Sequence, residues 1–200
     1  MCGTDDFRLL NFLGINSFRG FEPGQAKQLV VCSPEGYVVG DAVLFYLEPE
    51  VFQLVGRPSA LNWVQYHGET GGYRVRFERD EWSLVDPHRP RRVYRFQLQG
   101  PLATALLEAL NGRPLPDVKF FRMAWLQIRG RRARFLHHGM AGVAGGELFG
   151  PWEDREAVRE AILEAGEAFG LRQVGSRAYA TNTLESGWIS GVLPAIYTSP

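Results

Sequence analysis

Two cysteines, Cys2 and Cys32, and four scattered histidines are all that 200 residues offer in thiol and imidazole metal ligands. One possible bridge cannot staple a chain of this length, so both thiols are expected reduced, as in a cytosolic protein. No zinc-ligand spacing occurs. Net charge is also absent, because 22 Lys and Arg balance 22 Asp and Glu. That removes the whole-protein attraction to nucleic acid or to an anionic membrane. No apolar run approaches the roughly 18 residues of a membrane-spanning helix. The opening residues, MCGTDDFRLL, lack the basic-then-apolar order of a secretory leader, and none is expected. Low-complexity segments and obvious linkers are missing too. What remains is 45% hydrophobic and 22% charged, enough for one large domain or two small ones with a real core.

Periodicity predicts a mixed chain. Residues 5–13 read as a short helix, with Phe7, Leu10 and Leu13 near one-turn spacing and Asp5 and Asp6 at its positive end. Residues 27–32 and 37–47 flank the turn Ser33-Pro34-Glu35-Gly36 and read as a hairpin. A strand over 51–56 and a helix over 57–67 follow, with Pro58 suited to the first turn. Residues 73–79 alternate as a half-buried strand does, and so do 93–99. Gly100-Pro101 opens a helix that Asn111-Gly112 closes. Segments 119–128 and 131–137 form a hairpin around Arg129-Gly130. The clearest helix covers 152–169, with Val158, Ala161, Ile162, Ala165 and Phe169 on one face and Gly170 as its stop. A final helix is expected over 176–186. Gly3 to Leu10 weakly echoes Gly100 to Leu107, and two similar α+β halves, 1–99 and 100–200, account for that echo.

Three stretches could carry chemistry. Asp41 interrupts a strand pattern, where Asp is disfavoured, so it is either a polar group placed at a pocket or a turn or edge position. The stretch 138–148, HGMAGVAGGEL, holds four glycines that permit close approach of a ligand, and ends in a carboxylate, Glu147. A flat heterocycle with N–H donors suits that carboxylate, although residue type alone favours a plain flexible loop. The third stretch, 175–188, places Arg177, Thr181 and Glu185 near one helical face, with Tyr179 and Trp188 adding aromatic surface; on residue type it reads as a solvated amphipathic helix. The arginines at 89, 91 and 92, and at 129, 131, 132 and 134, read as loop or hairpin-edge residues rather than a nucleic-acid site. Among the histidines, only His138 stands beside a candidate loop.

The order of these segments is similar to the glycine-cleavage T-protein (aminomethyltransferase) superfamily. It runs Ala26-Lys27-Gln28, Gly36 to Asp41, Asn62-Trp63, Gly100-Pro101, His138 to Pro151, Glu164-Ala165-Gly166, Gly175, and Glu185 to Trp188. The endings HGMAG…GELFGPW and ESGWISGVLPAIYTSP resemble the branch of tetrahydrofolate-dependent O-demethylases that act on vanillate- and syringate-like methyl ethers.

The resemblance implies an α+β folate-binding core of two ferredoxin-like halves and methyl transfer from an aromatic ether to tetrahydrofolate. Glu147 matches the folate-binding carboxylate, with Gly142, Arg177 and Trp188 beside it on the cofactor. Tyr179 matches a tyrosine at the reacting ether, and Asp41 the catalytic Asp of aminomethyltransferases. Gly40 stands where that branch carries a second Asp. Arg57 and His138 are the substrate-binding candidates, Arg57 as a guanidinium fork for an aromatic acid's carboxylate. Chains of this branch are longer, so a segment before residue 1 and a barrel-like domain after residue 200 are expected to be missing here. The chain is then a catalytic demethylase, alone or with a second polypeptide that supplies them, a non-catalytic folate-binding or regulatory module, or an inactive truncated fragment.

Overall fold

A computed structural model describes residues 1–81, 88–89, 91–175, 181 and 184–187. The chain divides into two compact units, with Met1–Glu78 in one and Arg79–Ser186 in the other.

The first unit runs α1 (Asp6–Leu13), β1 (Gln25–Cys32), β2 (Val38–Glu48), β3 (Val51–Gly56) and α2 (Pro58–Thr70). The strands form an antiparallel sheet in the order β1-β2-β3, so β2 is central. Alternation decides which face is buried. Leu29, Val31, Leu44, Tyr46 and Phe52 turn toward the helices and pack with Leu9, Leu10 and Leu13 of α1 and Ala60 and Val64 of α2. Each such buried side chain contributes about 1.5–3 kcal/mol through area removed from water. Phe7 enters this core edge-on to Tyr46 and Phe52, whose rings stack 4.3 Å apart. Pro58 lies in the first turn of α2, where its missing N–H costs no hydrogen bond.

Among the described residues, the expected strand over 73–79 forms a single bridge, Cys2 with Arg76. Its alternation is real in burial, because Tyr73, Val75 and Phe77 pack against the core of the first unit. What holds the segment is local: the Arg74 backbone N–H and guanidinium both donate to Asp5 Oδ2, at 2.8 and 3.2 Å.

The second unit runs β4 (Val93–Gln99), α3 (Ala103–Asn111), β5 (Met123–Ile128), β6 (Arg131–His137), β7 (Gly145–Pro151), a 3-10 turn (Trp152–Asp154) and α4 (Arg155–Glu167). Its antiparallel sheet has the order β4-β7-β6-β5. The division of the chain at Glu78/Arg79 therefore differs from the 99/100 boundary expected from the sequence. Segment 93–99 is hydrogen-bonded along its whole length to β7 and belongs with the second sheet. Leu106 and Leu107 of α3 and Val158, Ala161 and Ile162 of α4 cover Tyr94, Leu98, Leu126, Ile128, Phe135 and Leu148. Gly112 ends α3 in the left-handed region, at φ 67°.

The two units repeat one chain order. In the second, β4 leads through Gly100 into α3, three antiparallel strands and α4. In the first, Cys2 bridges to Val51 of β3, as β4 pairs with β7, and leads through Gly3 into α1, three antiparallel strands and α2. The Gly3/Gly100 echo in the sequence marks equivalent points of this repeat.

Candidate functional site

Each sheet has one face packed on its helices and one turned away from them. Asp41 and Glu147 both lie on the second kind of face.

In the first unit, Asp41 pairs with Val30 across β1 and accepts a hydrogen bond from the Gln28 amide at 2.5 Å. It stands in the central strand, so it is neither a turn residue nor an edge residue. Gly40 points the other way, toward α2. A Cβ there would meet the Ser59 hydroxyl at 2.7 Å and Ala60 at 3.2–3.3 Å, which leaves no room for an aspartate. Arg57 follows the end of β3 as the exposed residue before α2.

In the second unit, register fixes three transverse rows on the face away from α3 and α4. Gln97, Glu147, Leu136 and Met123 form the middle row. Arg95, Phe149, Arg134 and Trp125 form the next, on the side toward the exposed hairpin end of β5 and β6. On the other side Gln99 pairs with Gly145, and His138 and Phe121 continue that row. Glu147 is ion-paired by the Arg95 guanidinium, which also lies 4.4 Å over the Phe149 ring. Oε2 of Glu147 keeps acceptor capacity for a ligand's N–H.

The glycine-rich stretch is not the flexible loop that residue type favours. Residue pairs from 134/149 through 137/146 keep one register, and the 140/143 bridge continues it. The Val143 N–H donates to the Met140 carbonyl at 3.0 Å, and both central residues, Ala141 (φ 51°) and Gly142 (φ 73°), are left-handed. That is a two-residue type I′ hairpin turn, which favours glycine. Gly142 is thus explained by the turn, and a ligand is not needed to account for it. Gly146 serves a different end. A Cβ there would sit 2.0 Å from the Phe135 ring.

His138 lies beside Glu147. Burial holds its imidazole below the ordinary histidine value, and Glu147 pulls the other way. Its Nδ1 is buried, with no hydrogen-bond partner among the described residues. Phe121 faces it at 5.4 Å, in a left-handed conformation (φ 59°) uncommon for a bulky residue. Phe120, exposed, stacks on Phe121 at 4.6 Å.

The structure therefore brings Glu147, His138 and Gly142 into one unit, and places Asp41 and Arg57 in the other. Tyr179, Arg177 and Trp188 lie outside the described residues, as does most of the expected helix over 176–186, of which Thr181, Leu184 and Glu185 are helical. Ser186 accepts a hydrogen bond from the Ala141 N–H at 3.0 Å, tying residue 186 to the hairpin turn. The sequence reading missed Arg95, Gln97, Gln28 and Phe121. The alternating Arg95, Gln97 and Gln99 of β4 were the available signal for a polar sheet face.

A planar group with N–H donors fits this face. It finds a largely buried carboxylate, the amides of Gln97 and Gln99, which bond to each other and to the Met140 carbonyl, and a His138 ring nitrogen without a partner among the described residues.

Comparison with known proteins follows the same lines. The chain is 52% identical over 192 residues to syringate O-demethylase of Sphingobium sp. strain SYK-6, covering 96% of this chain and 42% of that protein. It is 33% identical to sesamin methylene transferase of Sinomonas sp. strain No.22, covering 93% of this chain and 38% of that protein. Among solved structures, the glycine cleavage system aminomethyltransferase T of Bartonella henselae matches with a TM-score of 0.59 at 18% identity, over 81% of this chain and 41% of that one. This last likeness is one of fold. The chain spans less than half the length of these relatives. The model of the GCVT N-terminal domain matches residues 1–191, and the chain belongs to that family.

Proposed function

We propose that this chain forms the folate-binding part of an enzyme that transfers the methyl group of an aromatic methyl ether, such as a syringate- or vanillate-like acid, to tetrahydrofolate. The observation that carries the reading is the 52% identity with a syringate O-demethylase across nearly the whole chain.

The residues of this sheet face fit tetrahydrofolate. Glu147, held by Arg95, accepts the N–H groups of the pterin, and His138 and the Gln97 and Gln99 amides border it. Arg177 and Trp188 complete the cofactor side. When bound, tetrahydrofolate supplies a neutral N5 nitrogen that takes the methyl carbon. The chain's own groups align the ether and manage its proton. Arg57 pairs with the substrate carboxylate as a bidentate fork. Tyr179 gives its proton to the aryl oxygen as the O–CH3 bond breaks, and the proton that the folate nitrogen sheds on methylation would restore it through water. A phenol of pKa about 10 is matched to a phenol leaving group of similar acidity. Asp41 stands as a further polar group for the reacting centre. Positioning supplies most of the rate. No helix among the described residues is long and apolar enough to cross a membrane, and the reading places the protein in the cytoplasm.

A second reading is a folate-binding or regulatory module without turnover of its own.

Calorimetric titration with tetrahydrofolate under anaerobic conditions tests both. Micromolar binding that weakens in Glu147→Ala is expected, and a folded chain that binds nothing overturns both readings. Turnover of syringate or vanillate, by the chain alone or with a complementing polypeptide, then separates enzyme from module.

A further inference from the structure

His138 follows β6 directly, and its backbone N–H donates to the Gly145 carbonyl of β7. Leu136 pairs with Glu147 across the same two strands, so His138, two residues on, lies diagonal to that carboxylate. Diagonal neighbours on one sheet face stand about 7 Å apart, within the span of one fused bicyclic heterocycle. The preceding histidine is already committed, because His137 Nδ1 donates to the Val118 carbonyl at 2.7 Å. His138 Nδ1 is buried and meets no partner among the described residues. One of two consecutive histidines thus makes a structural bond, and the other keeps a ring nitrogen in reserve.

Phe121 and Phe120 close on the His138 ring at 5.4 and 6.0 Å. Phe121 does so from the left-handed region (φ 59°), which a bulky residue holds only where its surroundings fix it. Burial disfavours the imidazolium, Glu147 from β7 favours it, and His137 of β6, the other titratable neighbour, disfavours it. The balance leaves the imidazole neutral at pH 7, with a lone pair to give.

We propose that His138 is the base of this site: its Nδ1 accepts the N–H of the folate N5 and takes that proton as the methyl carbon bonds there. The proposal rests on the folate reading above. Every proton then has a destination. The methyl carbon leaves the aryl oxygen for N5, and Tyr179 gives that oxygen a proton. His138 takes the proton from N5, and water carries it on to the Tyr179 phenoxide. A nitrogen with a fourth bond is cationic and readily sheds a proton, so a weak base suffices. An imidazole held below its ordinary value is such a base, and it passes the proton on without difficulty.

Calorimetric titration of the full chain with tetrahydrofolate and with 5-methyltetrahydrofolate, which lacks the N5–H, tests the contact. The unmodified chain should bind tetrahydrofolate about three- to ten-fold more tightly, the worth of one hydrogen bond. That preference should vanish as pH falls through the His138 pKa, below the ordinary value near 6.5, because the imidazolium offers N–H where the contact needs a lone pair. His138→Asn keeps an acceptor and should keep the preference without its pH dependence, whereas His138→Phe should lose both. In the unmodified chain, the nitrogen NMR signal of His138 Nδ1 should shift with tetrahydrofolate and stay in place with 5-methyltetrahydrofolate. Single-turnover demethylation should fall about a hundred-fold in His138→Asn although binding is retained. Equal affinity for the two folates, with no Nδ1 shift, overturns the inference and leaves the folate reading standing. An Nδ1 shift of the same size with both ligands puts the imidazole on another N–H and overturns it too. Unchanged turnover in His138→Asn removes the proton transfer. No binding of either ligand by a folded chain overturns the folate reading and this inference with it.

Discussion

Arg95 of β4 reaches diagonally across the sheet to hold the Glu147 carboxylate of β7, on the face turned away from α3 and α4. Both side chains are largely buried, at 20% and 16% exposure. Removing Arg95 would leave the Glu147 carboxylate desolvated without its guanidinium, which is costlier than losing an exposed pair.

Glu147 also acts on His138, whose imidazole burial holds below its ordinary value while Glu147 raises it. In Glu147→Gln that support is gone, so the His138 pKa should fall further. Histidine ring proton shifts followed by NMR against pH read this directly. An unchanged or higher value would mean that the carboxylate and imidazole do not interact.

Asp6 sets a pH dependence of stability. Burial pushes its carboxyl up to about 6, the Gly3 backbone N–H pulls the other way, and neither oxygen has a well-formed hydrogen bond. The folded chain then binds a proton that the unfolded chain has released, between the ordinary carboxyl value near 4 and about 6. Stability is expected to be highest below that window and to decline as pH rises through it. Asp6→Asn should flatten this decline and raise stability at pH 7 by on the order of 1–2 kcal/mol. Denaturant unfolding at pH 4, 5, 6 and 7 is the measurement.

Gly146→Ala should destabilise the second unit by about 1–3 kcal/mol, because the new methyl overlaps the buried Phe135 ring. Gly142→Asn should cost little, since asparagine accepts a left-handed turn position, whereas Gly142→Val should cost more. Thermal unfolding of the three variants would rank them, and a Gly146→Ala chain as stable as the parent contradicts the packing described.

If Tyr179 delivers the proton to the departing oxygen, Tyr179→Phe should lower demethylation by about 10²–10⁴-fold. Tetrahydrofolate affinity should barely move. Single-turnover assays beside calorimetry separate the two effects, and equal turnover would remove Tyr179 from the mechanism.

Most elements were legible because their signals are local. Pro58, the Asn111-Gly112 stop and the two-sided pattern of 152–169, which folds as a 3-10 turn over Trp152–Asp154 and a helix over Arg155–Glu167, each follow from the residues themselves. Segment 73–79 was misread because alternation reports burial, while a strand also needs a partner, and the partner here is confined to Cys2. The stretch 138–148 was misread for the opposite reason. Its glycines suggest freedom one at a time, yet one makes a two-residue turn and another yields space to Phe135, facts fixed only by the paired strand. Glu147 and His138 were visible as residue types beside that stretch. Arg95 was not singled out, because it lies 52 residues away and comes to Glu147 only through the β4–β7 register.

That register makes the Met140-to-Val143 turn a counting device. With two central residues it has no slack, and strand parity runs from it into β7. Inserting one residue between Ala141 and Ala144 must be absorbed at the tip, as a three-residue loop with a bulge, because carrying the shift into β7 would turn Glu147 into the leucine-lined interior and bring Leu148 to the polar face. Such insertions should therefore be accepted where the added residue takes a left-handed conformation, and a library of tip insertions would show glycine and asparagine enriched among the folded products.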